Sequence, residues 1–209
     1  MSLRGGAAPY MKLQTIDDSV FIAPSAQIYG KISIGEGSSV WHNVVARAEC
    51  QEIEIGRIAN IQDFVMIHVG YDAPTRIGDF CSITHHATVH GCVLGDACLV
   101  GPGVVIMDGA VIGAGSIVAG GAVVPEGREF PAHSILAGVP AKQIGERDSS
   151  RANRMNAWQY HRNAEFTRRG DYRCWEGAEY ATWLAAKQAE VERDADLSKS
   201  SHDPPGRNS

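Results

Sequence analysis

Aliphatic residues recur at every sixth position along most of the chain, and this period constrains the fold more than any other feature. With Ala46 counted as the weakest member, eighteen hexapeptides keep this register, at positions 16, 22, 28, 34, 40, 46, 55, 61, 67, 77, 83, 89, 94, 100, 106, 112, 118 and 124. A period of six fits neither an α-helix nor a simple alternating strand. It is typical of a parallel β-helix, in which short strands turn corners and every third strand stacks on the one before.

The spacing of the repeat also defines the coils. The positions that begin a coil, 34, 55, 77, 94 and 112, are separated by 21, 22, 17 and 18 residues. A regular coil therefore takes about eighteen residues, and we interpret residues 45–54 and 69–76 as loop insertions. We assign residues 1–11 to an N-terminal extension and residues 12–145 to the β-helix.

Composition excludes several classes of function. The chain has 209 residues, a formal net charge of -5 and scattered Lys and Arg residues, which argues against nucleic-acid binding. It shows no apolar signal segment and no run of 18 apolar residues, so we predict a cytoplasmic protein without a membrane partner. The five cysteines are odd in number and lack CxxC spacing, so neither a disulfide framework nor a cysteine zinc site is indicated.

The register brings two histidines together. Arg47, His68 and His90 each follow the third aliphatic residue of a coil, so they form one column with a strand spacing of about 4.8 Å. Two imidazoles stacked in this way can bind one ion, because zinc takes histidine nitrogens at about 2.0–2.1 Å. The sequence therefore predicts a metal site at this edge of the prism.

A second column contains His42, Asp63 and His85, each two residues after the second aliphatic position of a coil. Because this column belongs to a different face, we expect that His85, if it joins the same metal, comes from another subunit. Parallel prisms around a threefold axis would then share three sites. His86 belongs to neither column; a proton relay and an alternative ligand remain open, but we favour an exposed side chain.

Three segments resemble the γ-class carbonic anhydrases, a family of hexapeptide-repeat proteins: ARAE at 46–49, ANIQD at 59–63, and IGDFCSITHHATVHGC at 77–92. The resemblance covers roughly residues 12–145. It implies a left-handed parallel β-helix, an all-β solenoid, in a zinc-dependent homotrimer. It also implies reversible hydration of carbon dioxide to bicarbonate by a metal-bound hydroxide, with His68, His85 and His90 as the metal ligands. The residues do not distinguish Zn²⁺ from Fe²⁺ or Co²⁺.

The same resemblance assigns roles around the metal. Gln62 would orient the hydroxide, and Glu49 stands where the family usually has Asp. Arg47 and Asp63 would form an ion pair across the subunit contact. Asn60 would line the pocket, and Tyr160 is the residue most similar to a family pocket tyrosine.

Two other functions remain open. The segment ILAGVPAKQI at 135–144 is also similar to the end of the repeat domain in hexapeptide acetyltransferases. An acyltransferase or thioesterase acting on an acyl-CoA would need one histidine as general base and no metal. A metal-binding scaffold with little activity is the third possibility. The set of three histidines favours metal chemistry over acyl transfer.

Beyond the repeat, residues 146–195 are predicted to form a helical appendage. A helix is predicted over residues 150–168 and a second from near Glu176. The first helix places Met155, Trp158, Arg162 and Phe166 at helical spacing. Residues 196–209 are polar, contain two prolines and are predicted to be disordered.

Overall fold

The computed structural model describes residues 13–194, and most of them form a parallel β-solenoid with three faces. The extension assigned to residues 1–11 and the tail assigned to 196–209 lie outside the described residues. The strands are β1 Thr15–Ile16, β2 Phe21–Ile22, β3 Gln27–Ile34, β4 Ser39–Val40, β5 Val45–Ile55, β6 Asn60–Ile61, β7 Met66–His68, β8 Thr75–Ile77, β9 Ser82–Ile83, β10 Thr88–His90, β11 Val93–Leu94, β12 Leu99–Val100, β13 Val105–Ile106, β14 Val111–Ile112, β15 Ile117–Val118, β16 Val123–Val124, β17 Glu129–Phe130, β18 Ser134–Gly138 and β19 Ala141–Glu146.

The predicted register of the coils is confirmed. On the first face, Ile16 pairs with Ile34, Ile34 with Ile55, and the series continues through Ile77, Leu94 and Ile112 to Phe130. The second face contains β2, β4, β6, β9, β12, β15 and β18 in parallel order. The third face contains β7, β10, β13 and β16, together with the first halves of β3 and β5.

The interpretation of residues 45–54 as a loop insertion is wrong. They belong to β5, whose first half pairs with β3 and β7 on the third face and whose second half pairs with β3 and β8 on the first face. The two halves are separated by a register shift, since Gly30 of β3 pairs with Ala48 and Ile32 pairs with Ile53, so residues 49–52 form a bulge within β5. The second insertion does contain a loop, which separates β7 from β8.

Side chains that point into the prism form a continuous apolar core. Ile61, Ile83 and Val100 stack on one another along the second face and are fully buried. Each such side chain stabilises the fold by about 1.5–3 kcal/mol. Cys81 and Cys98 are also fully buried, and none of the five cysteines forms a disulfide.

The corner before the third face requires a left-handed backbone. Phe64 and His86 occupy this corner with φ of 62° and 61°, and the next coil uses Gly103 with φ of 66°. Most residues avoid this region, so the corner is strained wherever it is not glycine. The two non-glycine side chains point outward and their rings stack, with centroids 4.9 Å apart.

Two helices follow the solenoid: α1 Ser150–Arg168 and α2 Gly177–Arg193. The prediction of α1 over residues 150–168 is confirmed. It runs back along the second face, since the Asn153 amide donates to Ala97 O, His161 Nδ1 to Gly37 O, and Arg168 to Ser19 O. This direction carries the middle of α1 to the coils that contain His42, Asp63 and His85.

The buried side of α1 is not formed by the residues at helical spacing, Met155, Trp158, Arg162 and Phe166. Its buried residues are small or polar: Ser150, Asn153, Ala157 and Ala164. Trp158 and Arg162 instead contact α2, where Lys187 lies 3.8 Å from the Trp158 ring centre and Arg162 pairs with Glu179. Within residues 13–194, no helix combines the length and apolar character needed to cross a membrane.

Candidate metal centre

The edge that follows the third face carries Arg47, His68 and His90 in one column, as the register predicts. Arg47 pairs with His68, and His68 with His90, on adjacent parallel strands. The two imidazole rings lie 4.8 Å apart between centroids, and His68 Nδ1 lies 2.9 Å from His90 Nε2. Two ring nitrogens therefore face each other at the edge of the prism.

Carboxylates contact the opposite nitrogens of both rings. Glu49 Oε2 lies 3.0 Å from His68 Nε2, and Glu49 Oε1 contacts the Arg47 guanidinium. Asp108 Oδ1 contacts His90 Nδ1. If each carboxylate accepts the ring N–H, the two facing nitrogens each keep a lone pair, which is the arrangement that metal-binding histidines require.

The electrostatics also favour neutral imidazole at His68. Burial, followed by the nearby Arg47 and His90, lowers the pKa of His68 below its usual value of 6.5, against a smaller opposing effect of Asp108. The ring is therefore neutral at pH 7 and does not need to lose a proton before it binds a metal.

Thr75 joins the two coils that carry these histidines. Its buried hydroxyl donates to the His68 carbonyl at 2.5 Å and accepts from the Gly91 N–H at 2.9 Å. The hydroxyl thereby links the His68 carbonyl to the N–H of Gly91, which follows His90, beside a direct backbone contact of 3.2 Å between the same two groups.

The edge that follows the second face holds the other predicted ligand. Because Val40, Ile61 and Ile83 pair in register, His42, Asp63 and His85 stack in one column. His85 Nδ1 lies 3.2 Å from Asp63 Oδ2, and the His85 side chain is 48% exposed. Like His68 and His90, His85 has a carboxylate beside one nitrogen and its other nitrogen, Nε2, available.

Tyr160 of α1 lies beside this second column. It packs edge-on against Trp41, with ring centroids 5.9 Å apart, and lines a cavity of about 350 Å³. The same cavity is lined by Trp41, His42, Asp63, His85, Asn163, Thr167 and Tyr172. Burial and then the charge of Asp63 raise the pKa of Tyr160 above its usual 10.0, so its hydroxyl keeps its proton at physiological pH.

Asn60 and Gln62 are buried in the second face. Gln62 is 2% exposed and donates from Nε2 to Asn60 Oδ1 at 2.9 Å, while Asn60 donates to Ser82 Oγ at 2.8 Å. Within one chain, both residues therefore belong with the His85 column and not with the His68 column.

The predicted site residues thus fall into two groups within one chain. His68, His90, Arg47 and Glu49 lie together on one edge, whereas His85, Asp63 and Tyr160 lie on another. In the described range, residues 13–194, no group of three or more His, Cys, Asp or Glu side chains is arranged to hold a metal ion. The Arg47–Asp63 ion pair is not formed within the chain, because Arg47 contacts Glu49 and Asp63 contacts His85. An intersubunit pair stays a prediction.

The donors present nevertheless fit a divalent ion. In a tetrahedral site with metal–nitrogen distances of about 2.0–2.1 Å, two ligand nitrogens lie about 3.3 Å apart. The facing nitrogens of His68 and His90, 2.9 Å apart, need only a small separation to reach this value. Among residues 13–194, one chain brings together two such donors.

Two residues near the site were not identified from the sequence. Asp108 lies two residues after Ile106, one coil above Gly91, so extending the register by one coil would have placed it beside His90. Thr75 gives no such signal, because it lies in the second insertion, where the six-residue count is interrupted. The expected exposure of His86 is confirmed.

Comparisons with known proteins find the same hexapeptide repeat and relatives that match most of the solenoid. The family model "Bacterial transferase hexapeptide (six repeats)" matches residues 91–126. A "Probable carbonic anhydrase" of Methanocaldococcus jannaschii is 50% identical over 131 residues, which cover 63% of this chain and 82% of that protein. "Gamma carbonic anhydrase 2, mitochondrial" of Arabidopsis thaliana is 33% identical over 137 residues, and the match spans 63% of this chain and 49% of that protein.

A solved structure shows the same architecture. The crystal structure of a hexapeptide transferase family protein from Anaplasma phagocytophilum superposes with a TM-score of 0.69 at 33% sequence identity. The match covers 73% of this chain and 91% of that one.

Proposed function

Since this chain belongs to the γ-class carbonic anhydrase family of hexapeptide-repeat proteins, we propose that it is a lyase that hydrates carbon dioxide reversibly to bicarbonate. The site is formed by His68 and His90 of one chain and His85 of the partner subunit in a homotrimer. These three imidazoles hold a divalent ion, with zinc expected first because it favours four-coordinate histidine sites. Fe²⁺ and Co²⁺ accept the same donors.

One observation carries the proposal: His68, His85 and His90 each have a carboxylate beside one ring nitrogen, and the other nitrogens of His68 and His90 face each other at 2.9 Å. The carboxylates belong to Glu49, Asp63 and Asp108 respectively. A carboxylate partner of this kind fixes the tautomer and direction of a ligating histidine. The other histidines near the site lack this pattern among the described residues, since His42 contacts Ser25 and His86 stacks on Phe64.

A divalent ion at this position supplies Lewis acidity that brings the pKa of water to about 7, which makes hydration possible at neutral pH. The residues of the chain provide the surroundings for that chemistry. The Glu49 carboxylate accepts a hydrogen bond from the Nε2–H group of His68. Because this carboxylate is half-exposed to solvent, it can also take up a proton released during hydration. Arg47 holds Glu49 in this position.

The group around His85 would enter the site with it from the partner subunit. Tyr160 is protonated at neutral pH, and burial and the charge of Asp63 raise its pKa further. Its hydroxyl can therefore donate a hydrogen bond to an oxygen of carbon dioxide or bicarbonate. Gln62 donates its amide N–H to Asn60, which leaves Oε1 to accept a hydrogen bond from the attacking water. Asp63 holds His85, and Arg47 of the adjoining chain is its expected ion-pair partner.

Acyl transfer is the second candidate, because the matching family model and the Anaplasma protein both carry transferase names. That activity needs one histidine as general base and a groove for an acyl-CoA. A metal-binding scaffold needs the three histidines but no turnover. The three candidates differ in their metal content and in the substrate that they consume.

The test uses the full chain purified without added metal. We expect about one metal ion per chain by elemental analysis, as a cyclic assembly with one site per interface requires. Stopped-flow hydration of carbon dioxide should disappear after chelation and return with Zn²⁺ or Co²⁺, while acetyl-CoA should not be cleaved. Metal-independent acetyl-CoA cleavage would support the transferase, and bound metal without hydration would support the scaffold.

The assembly is tested separately by light scattering during gel filtration. A homotrimer should have a mass three times the chain mass of 22.4 kDa. A monomer that binds metal with full affinity would contradict the shared site, because one chain provides only two of the three donors.

A further inference from the structure

Asp108 follows β13 and contacts His90 from the coil above it. We propose that Asp108 is a positioning residue that holds His90 in the tautomer and orientation needed for metal binding. The proposal rests on the function proposed above, and it assigns a role to a residue outside the set predicted from the sequence.

The fold leaves room for this carboxylate at two glycines. A Cβ atom at Gly91 would lie 2.4 Å from Asp108 Oδ1, and a Cβ atom at Gly70 would lie 2.9 Å from Asp108 Oδ2. Real Cβ atoms do not approach other atoms so closely, so any side chain at either position would displace the carboxylate. Both glycines therefore permit Asp108 to reach the His90 ring.

The contact selects one of the two tautomers of His90. Asp108 is an acceptor when ionised, so it favours a proton on His90 Nδ1. Nε2 is then unprotonated, and this is the nitrogen that faces His68 Nδ1 at 2.9 Å. Without the carboxylate, the ring can take the other tautomer, in which the nitrogen facing His68 carries the proton and cannot bind a metal.

The Asp108 side chain is not needed to stack the coils. Its own backbone carbonyl accepts from Gly127 N–H at 2.8 Å, and the neighbouring Gly109 N–H donates to Gly91 O at 2.7 Å. These bonds do not involve the carboxylate. We therefore expect Asp108 variants to fold, with the effect of substitution confined to His90 and the metal.

The first experiment measures Zn²⁺ and Co²⁺ affinity by competition with a chromophoric chelator in the full-length wild type, Asp108→Asn and Asp108→Ala. Loss of an outer-shell partner weakens metal binding by about 10- to 100-fold. Asp79→Asn is the matched control, because Asp79 also accepts bonds at a corner of the prism, from the Arg57 backbone and side chain. The control should keep the wild-type affinity.

A second variant tests the same contact without removing the carboxylate. Gly70→Ala places a methyl group against Asp108 at a backbone position without a positive φ, so strain of the corner is avoided. We expect it to weaken metal binding in the same direction as Asp108→Ala. Affinities of folded Asp108→Ala and Gly70→Ala proteins equal to that of the wild type would overturn the proposal.

A readout on metal-free protein separates this proposal from the proposed function. Nitrogen-15 NMR of labelled histidine distinguishes the two tautomers, and His90 should carry its proton on Nδ1 in the wild type and lose this preference in Asp108→Ala. If the wild type binds no metal but the His90 tautomer differs between the wild type and Asp108→Ala, the proposed function fails while the positioning role stands. If the wild type binds metal and the His90 tautomer is the same in both proteins, the positioning role fails alone.

Discussion

Replacing Thr75 with valine should destabilise the solenoid at the point where the coils that carry His68 and His90 are joined. The substitution keeps the shape of a fully buried side chain but removes the hydroxyl, which donates to His68 O at 2.5 Å and accepts from Gly91 N–H at 2.9 Å. Gly91 N–H also lies 3.2 Å from His68 O, so one backbone bond remains. Because this backbone bond partly replaces the two hydrogen bonds of the hydroxyl, we expect a decrease of about 1–2 kcal/mol in the free energy of unfolding.

The assay is urea unfolding at one fixed chain concentration, since assembly links stability to concentration. For a slope of about 2 kcal/mol/M, the midpoint should fall by about 0.5–1 M with the slope unchanged. Thr88→Val is the matched control, because the Thr88 hydroxyl makes no hydrogen bond among the contacts described for residues 13–194, and its effect should stay within about 0.5 kcal/mol. A Thr75→Val protein as stable as Thr88→Val would refute the reasoning, as would unchanged hydrogen exchange at the Gly91 amide.

Three further predictions follow from the site and its surroundings. His90→Ala should weaken metal binding by orders of magnitude, whereas His86→Ala, which removes an exposed ring, should leave metal content near wild type. Because burial and the charge of Asp63 raise the pKa of Tyr160 in the folded state, the folded protein holds that proton more tightly than the unfolded chain; stability should fall as pH rises above about 10, and less so in Tyr160→Phe. Only exposed Cys50 should react quickly with an aromatic disulfide at pH 8, because burial raises the pKa of Cys92 to about 12 and encloses the other thiols.

Each of these predictions has an outcome that contradicts it. If His86→Ala loses the metal and His90→Ala keeps it, the hexapeptide register does not define the site. An identical loss of stability at high pH in wild type and Tyr160→Phe would mean that other groups cause it. A fast-reacting thiol that persists in Cys50→Ser would show that one of the four buried cysteines becomes accessible to the reagent.

The period of six predicts the fold well because each aliphatic position must point into a narrow interior. That requirement alone aligns Ile55 with Ile77 and Val89 with Ile67, and it stacks His68 on His90. The bounds of α1 are equally accessible from the sequence, since composition changes abruptly where the repeat ends. A hydrophobic pattern predicts the position of a residue well where burial alone decides it.

The sequence-based predictions are wrong where a neighbouring strand or a long-range contact determines the local structure. Residues 45–54 interrupt the count of six, yet they lie within one strand, whose two ends pair with β3 on either side of a register shift. The inward side of α1 is made of small and polar residues because the helix packs closely on the second face, where Asn153 bonds to backbone carbonyls. Neither effect is visible in the hydrophobic pattern of the segment itself.

The same distinction applies to the candidate site. The column of Arg47, His68 and His90 follows from register, but the carboxylate that contacts His90 comes from the next coil and depends on two glycines that leave space for it. Repeat counting gives the position of a side chain along the prism. It does not show whether that side chain can turn toward a neighbour.

The shared metal site is tested most directly by mixing subunits that carry complementary defects. His68→Ala chains keep His85, and His85→Ala chains keep both His68 and His90, so each protein alone should lose its metal and its hydration activity. When the two are unfolded and refolded together in equal amounts, about a quarter of the interfaces should combine intact donors from both chains. We predict recovery of metal and activity to about that fraction of wild type; no recovery from a mixture that does co-assemble would contradict the site shared between subunits.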